Sequence, residues 1–242
     1  AFLQKPMRVF FFIYLTKGNE HTVFLVNDGK EVFKGPRLWR QIVGANVRQI
    51  ITNLELLDRY AVPYVPTEVI AEPVCIETPQ GRWRFPYGMT QPRVEMNTLR
   101  ESHFRDSNSL CDQMIRLLGV SGELQRREGI AIDFTGLAAL EEFAPAWLYG
   151  QSIDLGVPNM IVQGQQAVLA DVGLFHLNTP LGLIQIPLAH AQNDLIGRVL
   201  AQYVPEEKHE QLQALTPPTP GYVAVFTRWT FDESRKLVPQ RD

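Results

Sequence analysis

Apolar residues follow two different periods along this chain, and the changes between them divide it into predicted strands and helices. Consecutive or alternating apolar residues predict strands at 7–15, 21–26 and 31–33, the last two joined by a tight turn. From 37 to 60 apolar residues recur every three or four positions, which predicts a long amphipathic helix. Residues 1–94 are therefore predicted to form an N-terminal α+β part, followed by a boundary in a loop.

The remaining residues, 95–242, are predicted to form an α/β part. Buried strands are predicted at 129–134 and 159–162, each followed by a predicted helix, at 137–153 and 165–172. Strands and helices that alternate with short connections favour a sheet with parallel pairs. The predicted fold class is therefore α/β, with a mixed sheet and helices packed on it. Later elements are predicted as a strand at 183–186, helices at 189–203 and 206–215, and a last strand at 221–229.

Composition and charge narrow the class of protein. Of the 242 residues, 45% are apolar and 20% are charged, which is typical of a globular chain. A net charge of −3 gives no general attraction to nucleic acid or to membranes. The longest apolar run, Val9–Leu15, is too short to cross a bilayer. Cys75 and Cys111 are too few for a disulfide framework or a metal cluster, so a reducing, cytoplasmic location is predicted.

Residues 128–178 contain four pieces in a fixed order. They are Ile132–Gly136 at the end of a strand, the helix that follows, Val157–Gly164 as the next strand, and Gln165–Phe175, which has a Gly-Leu pair close to its end. In this order they resemble a STAS domain, the family of sulfate transporters and anti-sigma-factor antagonists, in which a short closing helix ends in Gly-Leu. The resemblance implies a strand–helix–strand–helix unit that acts by binding another protein.

The resemblance departs from the family at the position that is phosphorylated. STAS antagonists carry an Asp-Ser-Ser-Gly tetrad at the start of the first helix, and the corresponding residues here begin with Glu141 and Glu142. Glu142 replaces the phosphoacceptor serine. Its carboxylate either holds the surface permanently in a charge state like the phosphorylated one, or indicates that phospho-switching is not the role of this chain. The resemblance implies a non-enzymatic regulatory or scaffolding protein, with Glu141, Glu142 and Trp147 on its protein-binding surface.

Motifs that identify common enzymes are missing from the sequence. It has no nucleophile elbow, phosphate-binding loop, dinucleotide fingerprint or zinc-protease motif, and its histidines lack metal-ligand spacing. Neither a catalytic residue nor a metal or cofactor is therefore predicted. An alternative hypothesis is a small-ligand-binding protein or an enzyme of unknown reaction. Its site would lie at strand ends, where ligands bind in α/β proteins, near Asp133, His176 and His190.

A further alternative is a nucleic-acid-associated component of a larger complex. Basic residues occur near Trp39 and Trp83, and basic side chains interleaved with aromatic ones are typical of nucleic-acid surfaces. A solvated helix face explains the same pattern, so this alternative is not favoured. The basic residues concerned are Arg37, Arg40, Arg48, Arg82 and Arg84.

Overall fold

A computed structural model describes residues 8–11, 13–17, 21–36, 47–79, 81–95, 97–134, 156–178, 182–216, 229–231 and 237–239. These residues form a mixed α/β protein, which confirms the predicted class. The chain divides into two compact units, Ala1–Arg59 with Tyr64–Met96, and Tyr60–Pro63 with Asn97–Asp242. The domain boundary predicted after residue 94 stays a prediction, because compactness alone does not show that a unit folds independently.

The described part of the first unit contains two sheets and a helix. A five-stranded antiparallel sheet has the order β2-β3-β4-β8-β5, and a three-stranded sheet has the order β1-β6-β7 with β1 parallel to β6. Phe24, Phe33 and Phe85 pack against one another at the centre of the buried core. The elements are β1 (Arg8–Phe11), β2 (Ile13–Lys17), β3 (His21–Val26), β4 (Glu31–Pro36), α1 (Val47–Arg59), β5 (Glu68–Ile70), β6 (Val74–Thr78), β7 (Gly81–Phe85) and β8 (Gly88–Pro92).

Strand β8 lies within residues 86–92, where prolines at both ends predict a loop from the sequence. It pairs with β4 on one side and β5 on the other, so it is an interior strand. Its first residue, Gly88, faces the ring of Phe33 so closely that a Cβ at that position would overlap the ring. The aromatic core thus requires a glycine in this strand. Because glycine and the prolines on either side are typical of loops, the hydrophobic pattern does not predict the strand.

The described part of the second unit is built from short strand pairs and from helices. Strands form the order β12-β11-β9, a separate β10–β13 pair and a β14–β15 pair, all antiparallel. None of the described helices is long and apolar enough to cross a membrane. The elements are β9 (Thr98–Arg100), α2 (Glu101–Asp106), α3 (Asn108–Glu128), β10 (Ile130–Ile132), β11 (Gly156–Gln163), β12 (Gln166–Leu169), β13 (Leu174–His176), α4 (Gly182–Leu200), a 3₁₀ turn (Glu206–Lys208), α5 (His209–Leu215), β14 (Trp229–Phe231) and β15 (Leu237–Pro239).

The strand–helix–strand–helix order predicted over 128–178 is wrong in its second half. The predicted helix at 165–172 is instead β12, which pairs with β11 as a hairpin. Gly164 closes the hairpin turn at φ +62°, a conformation that glycine adopts without steric cost. The predicted helix at 137–153 lies outside the described residues. The STAS-like resemblance as a whole stays a prediction.

Helix α3 supports both of the strand pairs that matter for the site. Gln113 donates to the backbone oxygen of Gln165 and accepts from the backbone N–H of Ala167, both at 2.9 Å, and so holds the β11–β12 hairpin. Two turns further along the helix, the buried hydroxyl of Ser121 accepts from Ile132 N–H at 3.0 Å and holds β10. Because both side chains project from α3, one helix positions both strand pairs.

Candidate functional site

The candidate site begins where the β10–β13 pair ends. Ile132 lies opposite Leu174 in this antiparallel ladder. One step further, the N–H of Asp133 donates to the carbonyl oxygen of Gly173 at 3.4 Å. Asp133 is only 2% exposed. The ladder therefore places the first residue after β10 directly beside Gly173.

The β11–β12 hairpin ends beside the same chain segment. Met160 lies opposite Leu169, and in the next step the N–H of Ala170 donates to the carbonyl oxygen of Asn159 at 2.7 Å. Residues 170–173, which connect β12 to β13, are therefore bonded to Asn159 at one end and to Asp133 at the other. Asp171 lies within this connection and is partly exposed.

Asn159 also joins the two strand pairs directly. Its side-chain Nδ2 donates to the carbonyl oxygen of Asp133 at 2.9 Å, and its N–H donates to the carbonyl oxygen of Phe134 at 3.1 Å. The second polar atom of the amide, Oδ1, is an acceptor by its chemistry. The two strand pairs thus form one continuous hydrogen-bonded frame around residues 170–173.

Two of the polar side chains converge on Gly173. A Cβ built on this glycine would lie 3.9 Å from Asp133 Oδ2 and 3.9 Å from Asn159 Nδ2. Both side chains therefore border the space that a larger residue at 173 would enter. We call Asp133, Asn159 and Asp171 the Asp–Asn–Asp cluster.

The ligand chemistry of this cluster suits a hard divalent cation. Carboxylate and amide oxygens are the protein ligands that Mg²⁺ prefers, and Mg²⁺ in phosphate-handling sites uses one or two carboxylates and takes its other ligands from phosphates and water. Among the described residues, no group of three or more His, Cys, Asp or Glu side chains is arranged to hold a metal ion. The cluster therefore fits a cation that arrives with a phosphorylated ligand better than a permanently bound structural metal.

The residues predicted for a strand-end site are only partly brought together. Asp133 belongs to the cluster. His176 lies in β13 opposite Ile130, at the other end of that strand pair from Asp133, and its N–H donates to Oε1 of Gln185 at 2.9 Å. His190 lies on α4, and Gln192, two positions later, is turned about 200° around the helix axis from it.

The other predicted site residues do not contribute to the cluster. Arg82 and Arg84 lie on the exposed side of β7, where Arg82 forms an ion pair with Glu77. Arg48 is exposed on α1 and borders a shallow groove with Ile51. The predicted residues that lie outside the described ranges are Glu141, Glu142, Trp147, Arg37 and Arg40.

Sequence reasoning missed Asn159 and Asp171. The signal that could have identified them is the tripeptide Asp171-Val172-Gly173, which follows a strand hairpin and lies twelve residues after Asn159. In the protein-kinase signature an Asp-Phe-Gly tripeptide follows a catalytic-loop Asn, and this chain has Val172 in place of the Phe. It was overlooked because residues 165–172 were assigned to a helix, which would have placed Asp171 on a helix face.

Comparisons with known proteins add a distant structural similarity. No protein-family model matches the sequence, and no curated protein matches it. The chain is similar to solved structures of APH(2")-IIa, one a ternary complex with streptomycin and ATP and one a complex with gentamicin. In both cases the identity is 12%, the match covers 84% of this chain and 79% of that chain, and the TM-score is 0.39.

The prediction of a non-enzymatic regulatory or scaffolding protein is wrong. The similar structures are of aminoglycoside phosphotransferases, which are enzymes. The helix that should have completed the predicted docking unit is strand β12. At a TM-score of 0.39 the similarity carries no argument about the ligand or the reaction of this chain, which rest on its own residues.

Proposed function

We propose that this protein is a phosphoryl-transfer enzyme that uses a nucleoside triphosphate bound together with a divalent cation. The observation that carries the proposal is the convergence of Asp133, Asn159 and the Asp171-Val172-Gly173 tripeptide at the ends of two strand pairs. Kinase-type phosphoryl transfer uses a catalytic aspartate together with an asparagine and a second aspartate that hold the cation. Asp133 is proposed as the catalytic aspartate from its position beside Asn159 and Gly173, because it lacks the sequence spacing of the kinase signature. This proposal specifies the predicted alternative of an enzyme with a site at strand ends.

Asn159 and Asp171 are the residues that would hold the cation. The Asn159 amide is fixed by its bond to the Asp133 carbonyl, so its Oδ1 meets a ligand in one orientation. Asp171 adds a carboxylate from the neighbouring position of the same frame. A divalent cation held by these residues would neutralise negative charge on the phosphates of the nucleotide.

Asp133 is the proposed general base. Its carboxylate would accept the proton of the acceptor hydroxyl as the hydroxyl oxygen forms a bond to the γ-phosphorus. The bond between that phosphorus and the β–γ bridging oxygen breaks, and the nucleoside diphosphate leaves. Asp133 suits this role because its backbone is bonded on both sides, which holds the carboxylate in place for a reaction that depends mainly on positioning.

The proposal is tested by the metal dependence of nucleotide binding. Calorimetric titration of the full chain with ATP should detect binding in the presence of Mg²⁺ and much weaker binding in EDTA. Asp171→Asn should weaken binding of the Mg²⁺ complex by a factor of about 10 to 100, because it removes the carboxylate that is proposed to bind Mg²⁺. Asp112→Asn is the matched control, since Asp112 pairs with Lys208 on the exposed surface of α3.

Two results would overturn the proposed function. One is ATP binding with the same affinity in Mg²⁺ and in EDTA. The other is equal loss of binding in Asp171→Asn and Asp112→Asn. Release of nucleoside diphosphate, monitored by chromatography, provides a second measurement. It does not require the acceptor to be known, because water can slowly take the place of the acceptor.

A further inference from the structure

Three different segments of the chain hold the backbone at Asp133 and at the residue before it. The N–H of Asp133 donates to Gly173, and its carbonyl oxygen accepts from Asn159 Nδ2. The N–H of the preceding residue, Ile132, donates to the fully buried hydroxyl of Ser121 on α3. Because unpaired backbone groups in a protein interior cost free energy, these bonds fix the path of the chain through Asp133.

Gln192 closes this set of bonds from helix α4. Its Nε2 donates to the carbonyl oxygen of Ile132 at 2.6 Å, and its Oε1 accepts from the N–H of Phe134 at 3.0 Å. The side chain is 0% exposed. One carboxamide therefore binds the backbone on both sides of Asp133.

The carboxamide is chemically suited to this position. It presents a donor and an acceptor at the same end of one side chain, and it carries no charge at any pH at which the protein is folded. A carboxylate of the same size would only accept, so it would face the Ile132 carbonyl oxygen without a proton. A methionine of similar volume would leave both backbone groups unpaired in the interior.

We propose that Gln192 is a positioning residue for the phosphoryl-transfer reaction, which it serves by holding the Asp133 backbone on both sides. This inference rests on the proposed function and extends it to a residue on α4 that lies outside the Asp–Asn–Asp cluster. We expect Gln192 to orient the base, so its loss should lower kcat and have little effect on nucleotide affinity.

The test compares Gln192→Met with Gln185→Met. Gln185 lies on the same helix, is 5% exposed, and accepts one backbone hydrogen bond from His176 N–H at 2.9 Å. Both variants thus lose buried carboxamide bonds to the β10–β13 pair, but only Gln192 lies beside Asp133. The measurement is MgATP turnover per folded molecule, with the folded fraction determined by circular dichroism in the same sample.

We expect Gln192→Met to lower kcat by about 100-fold with KM for MgATP changed by less than about twofold, because misplacing a catalytic group affects the transition state alone. Gln185→Met should keep kcat within about twofold of wild type. Amide hydrogen exchange gives a measurement independent of turnover, in which Phe134 should lose protection in Gln192→Met and keep it in Gln185→Met.

Gln192→Glu keeps the volume of the side chain and tests the donor alone. The introduced carboxyl group can donate to Ile132 only while it is protonated, and burial raises its pKa. The ratio of the variant's kcat to that of wild type should therefore fall as the pH rises and this group ionises. A purely structural role would leave that ratio independent of pH wherever the variant stays folded.

The failure of this inference can be distinguished from failure of the proposed function. If wild-type protein shows no Mg²⁺-dependent reaction with ATP, the proposed function fails and the positioning role fails with it. If wild type is active and folded Gln192→Met has an unchanged kcat, or one no lower than that of Gln185→Met, the positioning role alone is overturned.

Discussion

Asn159 donates a hydrogen bond from its side-chain Nδ2 to the backbone carbonyl oxygen of Asp133 at 2.9 Å, across 26 positions of sequence. The bond joins the start of the β11–β12 hairpin to the end of the β10–β13 pair. It also orients the Asn159 amide, whose Oδ1 is the atom proposed to bind a cation. One contact thereby links the stability of the second unit to the geometry of the proposed metal site.

Asn159→Ala should lower the free energy of unfolding by about 1–3 kcal/mol, because it leaves the Asp133 carbonyl oxygen without its donor in a buried place. Urea denaturation measures this loss. Asn159→Asp should lose the same bond, since a carboxylate cannot donate, yet retain an oxygen ligand for Mg²⁺. We therefore expect Asn159→Asp to bind MgATP more tightly than Asn159→Ala at equal stability, and the opposite order would contradict the role of Asn159 in metal binding.

Asp133→Asn should lower kcat by a factor of about 100 to 10,000 with little change in KM for MgATP, since it removes a general base and keeps the shape of the side chain. The measurement is steady-state turnover as a function of pH, in which the acidic limb due to the base should disappear.

Asp154 provides the decisive control for this assignment. It precedes Asn159 by five residues and is followed by a leucine, which is the spacing of the catalytic aspartate in the kinase signature Asp-Leu-x-x-x-Asn. The contacts of Asn159 favour Asp133 as the base, so Asp154→Asn should be close to wild type. Loss of the acidic limb in Asp154→Asn, with Asp133→Asn active, would transfer the role of base to Asp154.

Two glycines, one at the end of α3 and one within it, test the described geometry of this helix. Gly129 ends this helix at φ +66°, where its N–H donates to Gln125, and a Cβ there would overlap the side chain of Asn178. Gly129→Ala should therefore destabilise the protein by about 1–3 kcal/mol. Gly122, within the same helix, has open space around its Cβ position, so Gly122→Ala should stabilise the protein by about 0.5–1 kcal/mol. Thermal and urea denaturation should show opposite signs.

Cys111 gives a prediction about alkaline stability. Burial, together with the neighbouring Asp112 carboxylate, raises the pKa of the Cys111 thiol from 9.0 to about 11. The unfolded chain therefore ionises this thiol at a lower pH than the folded chain does. Its contribution to stability is complete below about pH 9 and should decline between pH 9 and 11.

The measurement is urea denaturation of wild type and Cys111→Ala at a series of pH values. The difference in unfolding free energy between them should shrink over that pH window and be constant below it. A difference that stays constant up to pH 11 would show that the thiol is not shifted. Native protein at pH 8 should also react slowly with alkylating reagents, because Cys75 and Cys111 are both buried.

Sequence periodicity predicted elements well where one face of the element is buried. Strand β3 alternates between partly exposed and buried residues, and it lies where the alternating run was found. Residues 189–200 of α4 and the helix at 206–215 were likewise predicted as helical. In these cases burial on one side gives the period that the prediction uses.

The failures occur in short apolar runs, which contain too few positions to define a period. The runs at 165–172 and 183–186 were assigned to a helix and a strand, whereas they form β12 and the first turns of α4. Periodicity cannot distinguish a buried strand from a buried helix over so few residues. Here the deciding features are a glycine turn at 164 and the packing of later residues, which are properties of the assembled unit.

The site was harder to predict than the fold. Asp133 was identified because it follows a recognisable buried strand. Asn159 and Asp171 are brought to the site by the register of the strand ladders. This register is set by pairing between distant segments and has no local signal in the sequence. His176 and His190 were chosen by residue type, but register and helix phase place them away from Asp133.

Gln113 and Ser121, which hold the two strand pairs from one helix, also bear on how the protein assembles. A helix forms from neighbouring residues in well under a millisecond, whereas strands that pair across long separations wait for chain diffusion to bring them together. Helix α3 is therefore suited to act as the template on which both strand pairs select their register during folding. A helix formed in the wrong phase would therefore misplace the Asp–Asn–Asp cluster, even in molecules whose strands had all formed.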